Sequence, residues 1–170
     1  MTRVAEAGDA LAIATIQVAA WRTAYRGLMP DALLDGLDAE AKAPAWQRTI
    51  DSPDSRILVV ERASVVVGFL LASGARDADV AAPDVGEICA MYVSPQHWRE
   101  GCGRDLLDGA MKFFAGKRRT RIILWVLEGN APARRFYEAQ GFAPDGERKA
   151  HPASGLSEMR YCSGAVNKGV

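Results

Sequence analysis

The chain has 170 residues, of which 49% are apolar and 25% charged, a composition typical of one globular domain that buries its core without disulfides or metals. Lysine plus arginine equals aspartate plus glutamate at 21 each, so no net field attracts nucleic acid or an anionic membrane. No uncharged apolar stretch of about 18 residues predicts a membrane span, and no signal-peptide pattern opens the sequence. We therefore predict a single domain over residues 1–170 in the cytoplasm, with residues 163–170 as a frayed tail.

Potential metal ligands are few and scattered. The three cysteines, Cys89, Cys102 and Cys162, never fall in C-x-x-C spacing, and only two histidines are present. We therefore expect neither a disulfide framework nor a metal centre. Cys102 could be a nucleophile, but no partner histidine can be assigned to it from the sequence, so we interpret it as a small residue that fills a tight turn.

Hydrophobic periodicity divides the chain into helices and strands. The predicted elements are, in chain order, helices at about 9–25 and 39–50, strands at 56–61 and 65–73, a loop at 74–83, a strand at 86–93, a helix ending near 115, a strand at 121–127, a helix between Asn130 and Gly141, and one or two strands within 142–162. Asp38 is a suitable cap for the second helix, and Asn130 with Pro132 starts the last one. The order ααβββαβαββ predicts an α/β fold with a sheet of mixed direction, in which the strands at 86–93 and 121–127 are parallel.

The strand at residues 86–93 runs into a glycine turn that opens a helix. Gly101 and Gly103 flank Cys102, and without Cβ atoms they allow a tight bend and the close approach of a ligand. The unpaired N–H groups of the helix N-terminus lie at this turn, so a phosphate or pyrophosphate is the expected ligand. The turn alone could equally be steric in origin, and it matches neither the P-loop nor the three-glycine dinucleotide pattern.

A second motif follows the turn by about 30 residues. The segment from Asn130 to Phe142 reads N-x-x-A-x-x-x-Y-x-x-x-G-F, and together with the glycine turn it resembles the GNAT acetyltransferase superfamily. In that family the turn is commonly written Q/R-x-x-G-x-G/A, and its main-chain amides bind pyrophosphate. Trp98 stands where the family usually has Gln or Arg, which leaves the side-chain contacts at that position open but not the loop. The resemblance covers about residues 65–161.

The resemblance implies a mixed, mostly antiparallel central sheet flanked by helices, with a parallel pair of strands at the cofactor site. It also implies that acetyl-CoA is the acetyl donor. The family's pantetheine-binding and pyrophosphate-binding positions match Met91, Tyr92, Val93, Arg99, Glu100, Gly101, Cys102, Gly103 and Arg104. Asn130 and Ala133 match marked positions of the second motif, where Asn130 would hydrogen-bond the cofactor arm. A backbone N–H within residues 91–93 would stabilise the tetrahedral oxyanion of acetyl transfer.

Two residues match catalytic positions of the family. Tyr137 matches a tyrosine beside the thioester sulfur, a phenol able to protonate the leaving thiolate, although its spacing also suits a core residue. Glu87 matches a place where many members carry a carboxylate that takes the amine proton through water, and an exposed strand-end glutamate is the alternative. Glu158 and Asp84 are further candidates for this proton acceptor.

The acceptor is less legible in the sequence than the donor. Trp21 and Tyr25 lie one helical turn apart and could wall the acceptor pocket, or belong to the core or to an interface. We predict an N-acetyltransferase that acts by direct transfer in a ternary complex, because no nucleophile is supported. The expected acceptor is a small primary amine such as a polyamine, amino sugar or amino-acid derivative. A protein α-amine or lysine, an antibiotic or toxin-related substrate, and a non-catalytic CoA-binding sensor are the alternatives, and family members are often dimers, which leaves a homodimer open.

Overall fold

The structure of the protein is a computed structural model that describes residues 1–163. Its strands are β1 Thr2–Val4, β2 Ser55–Arg62, β3 Val65–Gly74, β4 Val85–Val93, β5 Arg121–Leu127, β6 Phe142–Ala150 and β7 Ser157–Ser163. Its helices are α1 Ala10–Ala24, α2 Asp31–Asp35, α3 Ala39–Ile50, α4 Cys102–Gly116 and α5 Ala131–Ala139, with 3-10 turns at Ala7–Asp9 and Pro95–His97. The predicted tail starts at the last residue of β7, and the rest of it lies outside the described residues.

The chain forms two compact units, and β4 contributes residues to both. The first unit contains residues 1–73 and 89–113, and the second contains residues 74–88 and the segment that begins at residue 114. In the first unit the antiparallel strands β1, β2 and β3 follow one another, with Val4 opposite Leu58 and Leu58 opposite Leu70. The predicted hairpin of β2 and β3 is therefore confirmed.

Helices α1 and α3 cover the apolar side of these strands. The core of the first unit is a cluster of fully or nearly buried residues: Ala5, Ile13, Ile16, Ile57, Val59 and Phe69. Asp38 caps α3, because its carboxylate accepts from the N–H groups of Glu40 at 2.8 Å and Ala41 at 3.3 Å. The indole of Trp46 donates to Gln17 at 3.0 Å and ties α3 to α1. This packing places the aromatic end of α1 beside the second half of β4.

In the second unit the strands lie in the order β4, β5, β7, β6. The register of β4 and β5 is parallel from Val85 opposite Arg121 to Ile88 opposite Leu124, and the other two pairs are antiparallel. The run from Ile122 to Leu124 is almost fully buried, as expected for a strand with both faces covered. The predicted fold class is confirmed: mostly antiparallel strands with one parallel pair, flanked by helices.

Helix α5 is anchored at its start and in its middle. Asn130 is its N-cap, since the side-chain oxygen accepts from the Ala133 N–H at 3.2 Å. The hydroxyl of the fully buried Tyr161 donates to Glu138 at 2.8 Å and accepts from Arg134 at 3.1 Å. Two contacts about one helical turn apart fix the rotation of α5 about its axis, and thereby the direction in which Tyr137 projects.

Candidate functional site: the glycine loop, the last helix and a charged sheet face

The glycine loop contains two residues with a left-handed backbone conformation before α4 begins. Gly101 has φ +80° and Arg99 has φ +65°, both in the left-handed region that favours glycine. Among the described residues, no other residue accepts a hydrogen bond from the backbone N–H groups of residues 99–104. Asp105 donates the first of the helical bonds, to the carbonyl of Gly101 at 3.0 Å. Six successive donors at a helix N-terminus therefore remain for an anion, which fits a pyrophosphate.

Side chains brace this loop from both sides. Trp98 donates its indole N–H to the carbonyl of Val93 at 2.7 Å, so the residue that departs from the family pattern ties the loop to the end of β4. Arg62 donates to the carbonyl of Glu100 at 3.3 Å and to the Asp105 carboxylate at 2.8 Å. These contacts hold the loop in shape without using its N–H groups, which is the preorganisation that anion binding needs.

Cys102 lies inside this turn and is buried. Only 1% of its surface is exposed. Burial raises the pKa of the Cys102 thiol, and the positive charge of Arg62 only partly opposes the shift. A thiol kept protonated is a poor nucleophile, so the geometry agrees with a residue that fills the turn.

The second half of β4 carries the positions matched to the pantetheine arm. Met91, Tyr92 and Val93 lie beyond the last parallel pair of β4 with β5, at Ile88. In the first unit the Tyr92 ring lies 6.4 Å from that of Trp21, which in turn meets Tyr25 edge-on at 5.3 Å. Tyr25 is buried and Trp21 is half-buried. The structure therefore brings Trp21 and Tyr25 to the strand that precedes the glycine loop.

The second motif lies on α5 in the second unit. Asn130 uses its side-chain oxygen as the helix cap, and no described residue accepts from its side-chain nitrogen. This nitrogen is a donor that could meet a carbonyl of a cofactor arm. Tyr137 is 8% exposed and packs edge-on against Phe136 and Phe142, with ring centroids at 5.3 and 6.0 Å. The ring is thus held by packing, as a positioned proton donor requires.

Glu87 is buried, so the alternative of an exposed strand-end glutamate is wrong. It is only 2% exposed, and both of its oxygens accept from Arg76 in the 74–84 loop. The guanidinium contacts are 2.6 and 3.1 Å, and the backbone N–H of Arg76 adds a third at 3.0 Å. Sequence patterns do not reveal this pair, because Arg76 lies in a stretch with no periodicity.

One face of the second unit's sheet collects charged residues and a tryptophan. Cα partners in register share a face, and the pairs Glu87–Ile123, Ile123–Cys162, Trp125–Arg160, Leu127–Glu158 and Lys149–Glu158 lie on one side of the strands. Tyr161, which contacts α5, lies on the other side. We call the side that carries Glu87, Trp125, Lys149, Glu158 and Arg160 the charged face.

Arg160 organises the charged face. Its buried guanidinium binds three carboxylates, those of Asp79 at 2.7 Å, Asp145 at 2.7 Å and Asp77 at 3.4 Å. Asp77 also accepts from the Trp125 indole at 2.8 Å. The 74–84 loop is thereby fastened over the strands. The sequence alone does not mark Arg160 or Trp125 as site residues, because each lies within a strand pattern that is typical of core.

Glu158 is a half-buried carboxylate on the same face. No described residue donates a hydrogen bond to its side chain. Burial raises the pKa of the Glu158 carboxyl, and the nearby His151 and Lys149 only partly oppose the shift. Asp84, by contrast, accepts through its backbone carbonyl from the N–H of Thr120 at 2.8 Å at the start of β5. The raised proton affinity of Glu158 suits a group that accepts a proton.

The predicted site residues therefore fall into two groups. The first unit holds the loop, the end of β4 and the aromatic pair of α1, and the second holds Glu87, Asn130, Ala133, Tyr137 and Glu158. Within residues 1–163 no helix is long and apolar enough to cross a membrane, and no three histidine, cysteine or acidic side chains cluster in a way that could hold a metal ion.

Sequence comparison finds relatives over most of the chain. Residues 18–142 match the Acetyltransferase (GNAT) family. A probable N-acetyltransferase of Mycobacterium tuberculosis (strain ATCC 25618 / H37Rv) is 27% identical over 158 residues, which cover 91% of this chain and 87% of the relative. YuaI, an uncharacterized N-acetyltransferase of Bacillus subtilis (strain 168), is 28% identical over 137 residues, covering 81% of this chain and 76% of the relative.

Solved structures share the fold at low sequence identity. PaiA N-acetyltransferase of Thermoplasma acidophilum, in complex with coenzyme A, superposes with a TM-score of 0.75 at 17% identity and covers 96% of this chain and 97% of its own. YncA of Salmonella typhimurium, with its cofactor acetyl-CoA, gives 0.73 at 20% identity and covers 100% and 95%. The chain thus belongs to the GNAT acetyltransferase family. It is an acyl-CoA-dependent N-acetyltransferase, and its acetyl donor is acetyl-CoA.

The raised pKa of Glu158 predicts a pH-dependent cost to stability. A carboxyl whose pKa is raised by folding destabilises the native state above that pKa, and the cost disappears once both states are protonated at low pH. Glu158→Gln should therefore have a higher Tm than the parent at pH 7.5, and the gap should close as the pH falls through the carboxyl range. Thermal unfolding across pH measures this, with the exposed Glu147→Gln as the control. A Tm difference between Glu158→Gln and the parent that is equal at all pH values would contradict a raised pKa of Glu158.

Proposed function

We propose that the protein acetylates a small primary amine by direct transfer within a ternary complex. The observation that carries the donor side is the row of six backbone N–H groups at residues 99–104, which have no acceptor among the described residues. On the acceptor side, Trp21 contacts Tyr92 of the strand that leads into this row, and Tyr25 packs edge-on against Trp21. The balanced charge of the chain supplies no field for a polycationic protein tail.

Acetyl-CoA, when bound, supplies a thioester activated toward an amine. The amides of residues 99–104 would hold its pyrophosphate, and Gly103, in the first turn of α4, would let the phosphate approach the backbone closely. The Asn130 side-chain nitrogen would donate to the cofactor arm. A backbone N–H of β4 within residues 91–93 would stabilise the oxyanion that develops as the amine attacks.

Two side chains would move protons. Glu87 would take a proton from the acceptor's ammonium through water, which leaves a neutral amine to attack, and the Tyr137 phenol would protonate the departing thiolate. Since Glu87 binds Arg76 with both oxygens, proton transfer requires a shared hydrogen bond or a brief opening of the pair. The buried, protonated Cys102 supports direct transfer, because a covalent acetyl-enzyme needs an accessible nucleophile.

An acceptor screen tests the proposed function. The protein is incubated with acetyl-CoA and separate polyamines, amino sugars, amino-acid amides and short peptides, and products are read by a mass increase of one acetyl group. We expect at least one small amine to be acetylated in preference to every peptide. Acetylation confined to peptide α-amines or lysines would indicate that the acceptor is a protein. CoA binding without any turnover would indicate a non-catalytic sensor.

Replacing Tyr137 with phenylalanine should affect turnover and leave cofactor affinity unchanged. Tyr137→Phe keeps the ring that packs against Phe136 and Phe142 but removes the proton, so kcat should fall by roughly 100-fold. Single-turnover kinetics and CoA titration calorimetry separate the two effects. Phe136→Leu, which alters the packing but keeps the phenol, is the control. If the chemical step is as fast in Tyr137→Phe as in the parent, Tyr137 is a packing residue and not the proton donor.

Replacing Glu87 with glutamine distinguishes a proton acceptor from a loop anchor. If Glu87 is the base, Glu87→Gln should slow the reaction at neutral pH and recover much of the rate at high pH, where the amine deprotonates unaided. Arg76→Met breaks the same ion pair but keeps the carboxylate, and its rate should show no such recovery. Matching pH profiles for the two variants would mean that Glu87 only anchors the 74–84 loop.

A further inference from the structure

An alkylammonium group already lies on the indole of Trp125. The Lys149 ammonium is 4.1 Å from the centre of this ring, at cation–π distance. Lys149 belongs to β6 and Trp125 to β5, so the lysine side chain reaches across β7 to the ring. The indole itself is held in place, because its N–H donates to Asp77 and the Arg160 guanidinium lies 5.6 Å from its centre.

A carboxylate, Glu158, lies next to Lys149 on β7, the strand between β5 and β6. Glu158 is the Cα partner of Lys149, and the two side chains lie on the same face. It is half-buried and receives no hydrogen bond from any described residue. A carboxylate taken partly out of water without a donor is destabilised unless a cation or a ligand compensates it. Lys149 gives it charge but not a direct bond.

We propose that Trp125 and Glu158 form a seat for a primary ammonium on an unbranched alkyl chain of the acceptor, and that Lys149 occupies this seat in the free protein. The proposal rests on the proposed function, since it names the class of amine that the enzyme acetylates. An incoming alkylammonium would replace one of the same shape and charge. The exchange leaves the charge of the face unchanged, so it costs little electrostatically, whereas a neutral molecule would leave Glu158 uncompensated.

The charges around the seat also favour a cation. Asp77, Asp79 and Asp145 contact Arg160, and Asp145 also contacts Arg121 at 3.4 Å. The three carboxylates exceed these two guanidinium groups by one negative charge, and Glu158 adds another. The electron-rich ring and the Glu158 oxygens attract an ammonium from either side, while a carboxylate or phosphate would meet like charge.

The test uses n-butylammonium, which reproduces the lysine side chain, and n-butanol as its neutral match. The chain has four tryptophans, so the Trp125 indole N–H signal can be assigned by its loss in Trp125→Phe. In Lys149→Met, which vacates the seat, this signal should shift on titration with butylammonium and stay unmoved with butanol. The parent should need roughly 2- to 30-fold more butylammonium, because Lys149 competes. Arg148→Met, which changes the neighbouring residue on the other face, should behave as the parent.

Two outcomes overturn the proposal. The first is a Trp125 signal in Lys149→Met that does not respond to butylammonium, or that responds equally to butanol. The second is a Lys149→Met, Glu158→Gln double variant that binds butylammonium as tightly as Lys149→Met, since loss of the carboxylate should weaken binding by about 3-fold or more. None of these titrations contains acetyl-CoA. A failure of the proposed function would show in the acceptor screen instead.

Discussion

The left-handed backbone at Gly101 is the constraint on which the donor side depends. The preceding 3-10 turn ends at Trp98, whose backbone is extended, and the left-handed Gly101 directly precedes Cys102, the first residue of α4. The amides before the first helical bond are then left without acceptors, and the surrounding side chains bind to carbonyls and carboxylates instead. Trp98 is an example, because its indole N–H donates to the carbonyl of Val93. This large residue therefore supports the loop without accepting from the loop's N–H groups.

Strand β7 organises the second unit through the alternation of its side chains. Arg160 and Tyr161 are adjacent and therefore point to opposite faces of the sheet. Arg160 fastens the 74–84 loop by three carboxylates, while Tyr161 fixes α5 by Arg134 and Glu138. One dipeptide thus holds the helix that carries Tyr137 and the loop that holds Glu87. A shift of β7 by a single residue would turn Arg160 toward α5 and Tyr161 toward the loop, so both sets of contacts would be lost.

Sequence reasoning succeeded where a local rule applies. The bounds of α3 and β5 agree with the prediction, because a side-chain cap marks the first and an unbroken apolar run marks the second. It failed where the partner is distant in the chain. The burial of Glu87 depends on Arg76 in an irregular loop, and the strand β1 is a three-residue element that is only defined by pairing with β2. The contact of Lys149 with Trp125 likewise depends on the strand order, which cannot be predicted from hydrophobic periodicity.

The most direct measurement of the donor-side account is CoA binding to a variant of the loop. Gly103 lies in the first turn of α4, outside the left-handed region, so a side chain is compatible with its backbone but would stand where a phosphate approaches. Calorimetry should show that Gly103→Val binds CoA at least about 10-fold more weakly than the parent, with little change in Tm. Gly116→Val, at the other end of the same helix, should bind as the parent. Equal CoA affinity in Gly103→Val and the parent would contradict the assignment of the loop.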